Sequence, residues 1–210
     1  VSRTAYRVTD LMDKDQREPI GQPGEGHPYD VSTNIFERLP QVFFDDKPDD
    51  GNDYIRILGR MDNTRTMKFV RRDYIREVEN LDGYKVFMAK ANGTGAFGET
   101  LTPPIVGEPS VGNTETFISI GEFYTLSEAM ALKKYIATKF VRALLGALKT
   151  TQDITPEKWK FVPQQDFSET SDIDWSRSVE EIDAFLYKKY KLTDAEICFI
   201  NEKVQAMKDV

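Results

Sequence analysis

Strand-like alternation of apolar and polar positions dominates the chain from Tyr54 to Ile120, and a helical period takes over after Thr125. Tyr54-Ile55-Arg56-Ile57-Leu58-Gly59 and Thr66-Met67-Lys68-Phe69-Val70 flank a polar turn at Met61-Asp62-Asn63, which predicts a β-hairpin. Tyr84–Ala89, entered through Leu81-Asp82-Gly83, reads as a third strand. Residues 104–107 read as a short edge strand, because proline cannot donate to an interior ladder. Residues 114–120 read as a further strand.

From Glu128 to about Leu148 the period is helical, with Ala129, Leu132, Ile136, Phe140, Leu144 and Leu148 on the buried side and Thr125 or Ser127 as cap. A shorter helix is expected over residues 179–190. A last one opens with the capping box Thr193-Asp194-Ala195-Glu196 and runs to about Met207. Before Tyr54 the chain is polar and rich in turn formers (Pro19, Gly21, Pro23, Gly24, Gly26, Pro28, Pro40, Pro48), with short apolar pieces such as residues 42–44. That opening reads as a loop-rich piece of something larger. Loops, then strands, then helices predict an α+β fold with a mainly antiparallel sheet, one long helix and a C-terminal helical pair. The divisions expected are 1–53, a loop-rich segment; 54–160, sheet and long helix; and 161–210, a helical tail packed on them.

Composition narrows the classes. At 210 residues, 40% apolar and 30% charged, the chain suits an ordinary soluble domain. No apolar run is long enough to span a bilayer, so no membrane partner is expected. Residues 1–15 mix charges without an apolar core, so no signal peptide is expected. One cysteine, Cys198, cannot close a disulfide within the chain, and one histidine leaves little for a metal site. A reducing compartment, most simply the cytoplasm, fits that usage. Cys198, in an amphipathic helix beside Phe199, is expected in the core.

The net charge of −7 argues against a phosphate-rich partner only when averaged. By blocks it runs −5 over 1–59, +3 over 60–90, −4 over 91–124, +4 over 125–160 and −5 over 161–210. Two basic blocks thus lie between acidic flanks. Arg71-Arg72 ends the hairpin and Lys90-Ala91-Asn92 ends the next strand, positions from which side chains grip phosphates and reach base edges. On a helical wheel Lys139, Arg142 and Lys149 fall within about 80° of one another, a cationic strip beside the apolar face.

Gly93-Thr94-Gly95-Ala96-Phe97-Gly98 matches a dinucleotide-binding string and follows a strand. That chemistry needs a helix to start there, and Leu101-Thr102-Pro103-Pro104 follows instead. What remains is either a loop whose amides approach a phosphate backbone or a tight turn. Asp45-Asp46-Lys47 holds the Asp-x-Lys of a nuclease metal site but lacks the upstream Pro-Asp strand, and no carboxylates visibly converge on it. His27, alone in a Gly/Pro loop, gives no triad. Trp159 and Trp175 are expected to anchor the polar tail.

Several strings also carry a resemblance. Residues 84–99 (YKVFMAKANGTGAFGE), 116–121 (TFISIG), 138–145 (TKFVRALL), 151–153 (TQD), 161–167 (FVPQQDF), 172–175 (DIDW), 181–190 (EIDAFLYKKY) and 192–196 (LTDAE) occur in this order. They resemble the C-terminal target-recognition region of bacterial restriction–modification proteins with an adenine-methylating domain, type IIG enzymes included. That region is similar in role to the TaqI-like C-terminal specificity domain, and the resemblance covers roughly residues 54–207.

The resemblance implies sequence-specific recognition of double-stranded DNA, with the methyltransferase catalytic domain of a parent protein as second partner. S-adenosylmethionine, and Mg if the parent also cleaves, would belong to that parent. The family's Asn-Pro-Pro-Tyr motif is missing: Pro103-Pro104 is preceded by Thr102 and followed by Ile105. Its glycine-containing cofactor motif and the Pro-Asp…Glu-x-Lys nuclease signature are missing too. The resemblance therefore implies a reading head without chemistry of its own. Its DNA-facing residues would be Arg71, Arg72, Lys90, Asn92 and Thr94 from the strand ends, with Lys149, Gln152 and Lys160 beyond the long helix. Arginine suits guanine, and asparagine or glutamine suits adenine. The alternative is a docking module for a methyltransferase or nuclease that never touches DNA, which the acidic balance favours.

Overall fold

The computed structural model describes residues 6–9, 12, 29–76, 78–91, 97–99, 102–147 and 156–207. The hairpin forms as its pattern predicts, with β1 (Tyr54–Met61) antiparallel to β2 (Thr64–Arg71). Asp62 and Asn63 make its two-residue turn with φ of 49° and 60°. Positive φ at both central positions is the type I′ geometry that matches the twist of the strands, and Asn and Asp tolerate it best after glycine.

A short strand, β3 (Tyr84–Ala89), lies between β4 (Ile105–Gly107) at the sheet edge and β6 (Phe117–Phe123). Between β4 and β6 comes β5 (Val111–Asn113), which pairs parallel to β1. The expected single sheet is thus two three-stranded sheets, β2-β1-β5 and β4-β3-β6, and every pairing except β1–β5 is antiparallel. The last strand begins three residues later than its composition suggests. Asn113 is the reason: its amide donates to the carbonyls of Thr114 and Phe117, both at 2.9 Å, and holds 114–116 in a turn. At three residues, β5 is too short to show a period.

The described part of the N-terminal segment packs on the hairpin. Tyr6, Val8, Val31 and the short helix α1 (Ile35–Arg38) share a core with Ile55, Ile57, Val70 and Leu81. Isolated bridges, Arg7 to Asp30, Val8 to Ile75 and Phe44 to Phe69, tie it further. In the nuclease-like string, the Lys68 ammonium donates to Asp45 at 2.5 Å.

The expected long helix is two helices, α2 (Leu126–Ala137) and α3 (Lys139–Ala147), broken at Thr138. Thr138 sits in extended backbone (φ −59°, ψ 148°), and its hydroxyl donates to the Tyr135 carbonyl and accepts from the Val141 N–H. A residue that can serve as both stop and N-cap ends one helix and starts the next, which the continuous apolar period conceals. The break also removes the cationic strip. Arg142 is buried, donating from Nε to the Ala137 carbonyl and from Nη2 to that of Gln205.

After α4 (Pro156–Trp159) the tail supplies α5 (Val179–Lys189) and α6 (Asp194–Lys203), each opened by a complete capping box, Ser178 with Glu181 and Thr193 with Glu196. The second core joins Val86, Met88 and Ile120 of the sheet to Leu132, Tyr135 and Ile136 of α2, then to Phe140, Ile182, Leu186 and Ile200. Trp159 is in this core, and Trp175 packs on it with its indole N–H donating to the Asp166 carbonyl. Two helix details differ from the pattern. α6 stops at Lys203 because Val204 turns extended and is fully buried. Cys198 is exposed, since α6 presents Ile200 to the core and turns 198 outward. No helix among the described residues is long and apolar enough to cross a membrane.

Candidate functional site

Arg71 ends β2 and is engaged within the chain. Its Nε and Nη2 donate to the Asp73 carboxylate at 3.0 and 2.5 Å, Nη1 donates to the Tyr74 hydroxyl at 3.1 Å, and the guanidinium lies 4.4 Å from the Tyr74 ring centre. Arg72 makes a two-pronged pair with Asp82 at 2.9 and 2.5 Å, which holds the Asp82 carboxyl below its ordinary value. Lys160 is exposed in the turn after α4. Asn92, Thr94, Lys149 and Gln152 lie outside the described residues. The structure therefore does not bring Arg71, Arg72, Lys90 and Lys160 into one patch: 71 and 72 sit at the far end of the hairpin from its turn, and Lys160 lines a different cleft from Lys90.

Lys90 does join other cations. It stands exposed at the end of β3, its backbone N–H donating to the Thr116 carbonyl at 2.9 Å. The cleft it lines, of about 410 Å3, also takes Arg60 and Arg65 from the two sides of the hairpin turn and Asn63 from the turn itself. Hydroxyl side chains of Thr33, Thr102 and Thr116 complete the wall, and Glu115 is the one carboxylate among its described lining residues.

Arg60 and Arg65 are register partners across the two-residue turn and so share one face. Like charges directly opposite in a ladder repel. Arg65 is held in place by donating from Nη2 to the Pro103 carbonyl at 2.8 Å. Neither arginine, nor Lys90, has a carboxylate partner among the described residues. Three cations against one carboxylate, with hydroxyls between, make a surface that favours a phosphate oxygen. Sequence reading passed over Arg60 and Arg65. The signal was there once the two-residue turn fixed the register, because 60 and 65 then stand opposite each other.

The glycine-rich string has a packing role at its described end. Gly98 has a φ of +68°, and a side chain there would meet Val204, while one at Gly146 would meet the Gly98 backbone nitrogen at 2.5 Å. The loop and α3 approach backbone to backbone, which two glycines permit. Among the described residues no group of three or more His, Cys, Asp or Glu side chains could hold a metal ion. Comparison with protein-family models, curated proteins and solved structures found no match to this chain.

Proposed function

We propose that this chain reads double-stranded DNA, as the C-terminal specificity part of a restriction–modification adenine methyltransferase, and carries out no reaction itself. The observation that supports this is the cleft of Arg60, Arg65 and Lys90, whose charges are not spent on carboxylates of the described residues. Phosphate contacts from these three set the register of the duplex, and Asn63, on the hairpin turn, is placed to reach a base edge. S-adenosylmethionine, and Mg if the parent cleaves as well, belong to the parent's catalytic domain. Selection of the chain against a randomised duplex pool tests the reading. Enrichment of one short sequence supports it, and an unenriched pool with no retained duplex at low salt counts against it.

A second reading is favoured by Arg71 and Arg72, whose charges meet Asp73 and Asp82. In it the chain docks on a catalytic partner without touching DNA. Duplex retention by the chain alone separates the two.

A further inference from the structure

The β1–β2 turn carries a carboxylate that no described residue engages. Arg60, Asp62, Asn63, Thr64 and Arg65 are exposed around the turn, and Met61 is half-buried. The Asp62 main-chain carbonyl accepts from the Thr64 hydroxyl at 3.3 Å. Its carboxylate makes no hydrogen bond or ion pair among the described residues, although Arg60 and Arg65 stand on either side of it in the chain. Asn63 lines the cationic cleft, whereas Asp62 is not among its described lining residues.

The turn does not need that charge. Asp62 has a φ of 49°, a conformation that glycine and asparagine adopt at least as readily as aspartate. On a surface that attracts phosphates the charge is a cost, since a carboxylate repels the same backbone that Arg60 and Arg65 draw in. A base edge is different. In the major groove cytosine presents an amino donor, which suits Asp or Glu. Adenine sets an N7 acceptor beside its donor, and guanine and thymine present acceptors. The hairpin also has the right width: two strands about 4.8 Å apart enter a major groove about 12 Å wide but not a minor groove of about 6 Å.

We propose that the hairpin tip enters the major groove and that Asp62 selects a C·G base pair, its carboxylate accepting from the cytosine amino group while Arg60 and Arg65 hold phosphates. This rests on the duplex-reading proposal above and makes Asp62 the residue that sets one position of the target.

Asp62→Asn keeps the turn and removes only the charge. Wild type and variant are each selected against the randomised duplex pool, and binding to the enriched duplex is then read by fluorescence anisotropy. The wild-type target contains a C·G pair whose replacement by T·A sets the thymine O4 against the carboxylate and weakens binding about ten-fold. For Asp62→Asn the same replacement changes binding by less than about two-fold, and the other positions keep their preference. Unselected duplex is held by the variant as tightly as by wild type or more so, because a repelling charge is gone. Asp62→Gly, which also suits a positive φ, behaves alike at that position. If both variants weaken binding to every duplex equally, Asp62 serves the fold and the proposal is overturned. If wild type and Asp62→Asn enrich one target with the same tolerance at every position, the proposal is overturned and duplex reading stands. If wild type enriches no sequence, duplex reading fails and the role of Asp62 with it.

Discussion

The carboxylate of Asp183, on α5, accepts the backbone N–H of Phe140 at 2.9 Å, and its second oxygen accepts that of Lys139 at 2.8 Å. A side chain 43 residues downstream of Phe140 thus caps the helix that Thr138 starts. Two of the orphan donors at the N-terminus of α3 are satisfied, and an anion stands at the positive end of the helix. The cap fixes the tail to the break between α2 and α3.

Replacing Asp183 by alanine leaves the buried Phe140 amide and the part-buried Lys139 amide without this acceptor. Stability should drop by about 1–3 kcal/mol, read as a lower urea midpoint at unchanged slope. Glu180→Ala, an exposed neighbour on the same helix, should stay near wild type. Equal midpoints for Asp183→Ala and wild type would contradict the capping role.

The same residue sets a pH dependence. Burial outweighs the two N–H donors and the Arg142 charge, and pushes the Asp183 carboxyl up to about 6 from 3.8. Between those values the folded chain holds a proton that the unfolded chain has released. This group's contribution therefore falls as pH rises from about 4 to about 6.

Lys85 acts in the opposite sense. Its ammonium donates to the carbonyls of Leu81, Glu108 and Val111, and burial pulls it down to about 8 from 10.5. Over that window the unfolded chain holds the extra proton, so this contribution rises with pH. Urea midpoints across pH 4–10 test both. The difference between wild type and Asp183→Asn should vary below about pH 6, and that between wild type and Lys85→Met above about pH 8. Differences flat with pH would refute the assignments.

Gly98→Ala tests the packing account of the glycine string. The left-handed backbone at +68° costs an alanine about 1 kcal/mol, and the new methyl meets Val204. The expected loss is about 1–3 kcal/mol in urea unfolding. Adding Val204→Ala should fail to restore the wild-type midpoint, because the backbone strain persists. A Gly98→Ala chain as stable as wild type would mean that the loop can relax.

Much of the fold was legible in the chain. The hairpin, β3, the edge strand and the Thr193 capping box of the last helix follow from local pattern, since each depends on residues within a few positions of one another. Most of what was not legible depends on distant partners. The helix break at Thr138 is completed by Asp183 and the burial of Arg142 by the Gln205 carbonyl, whereas the late start of β6 is set locally by the Asn113 amide, which the strand-forming composition of 114–116 conceals. The site was harder still. Arg71-Arg72 is conspicuous in the sequence, yet Asp73 and Asp82 meet both charges, whereas Arg60 and Arg65 gain their meaning only from hairpin register.

The measurement closest to the central claim is the salt dependence of duplex binding, by fluorescence anisotropy at about 50 to 200 mM salt. Each phosphate contact contributes about 0.9 to the slope of log affinity against log salt. For the triple variant Arg60→Ala, Arg65→Ala, Lys90→Ala, the slope should become shallower by about 2 to 3. Arg71→Ala with Arg72→Ala should change it by less than about 1. A triple variant that binds with the wild-type slope, or a wild-type chain that shows no salt-sensitive binding, would contradict the account.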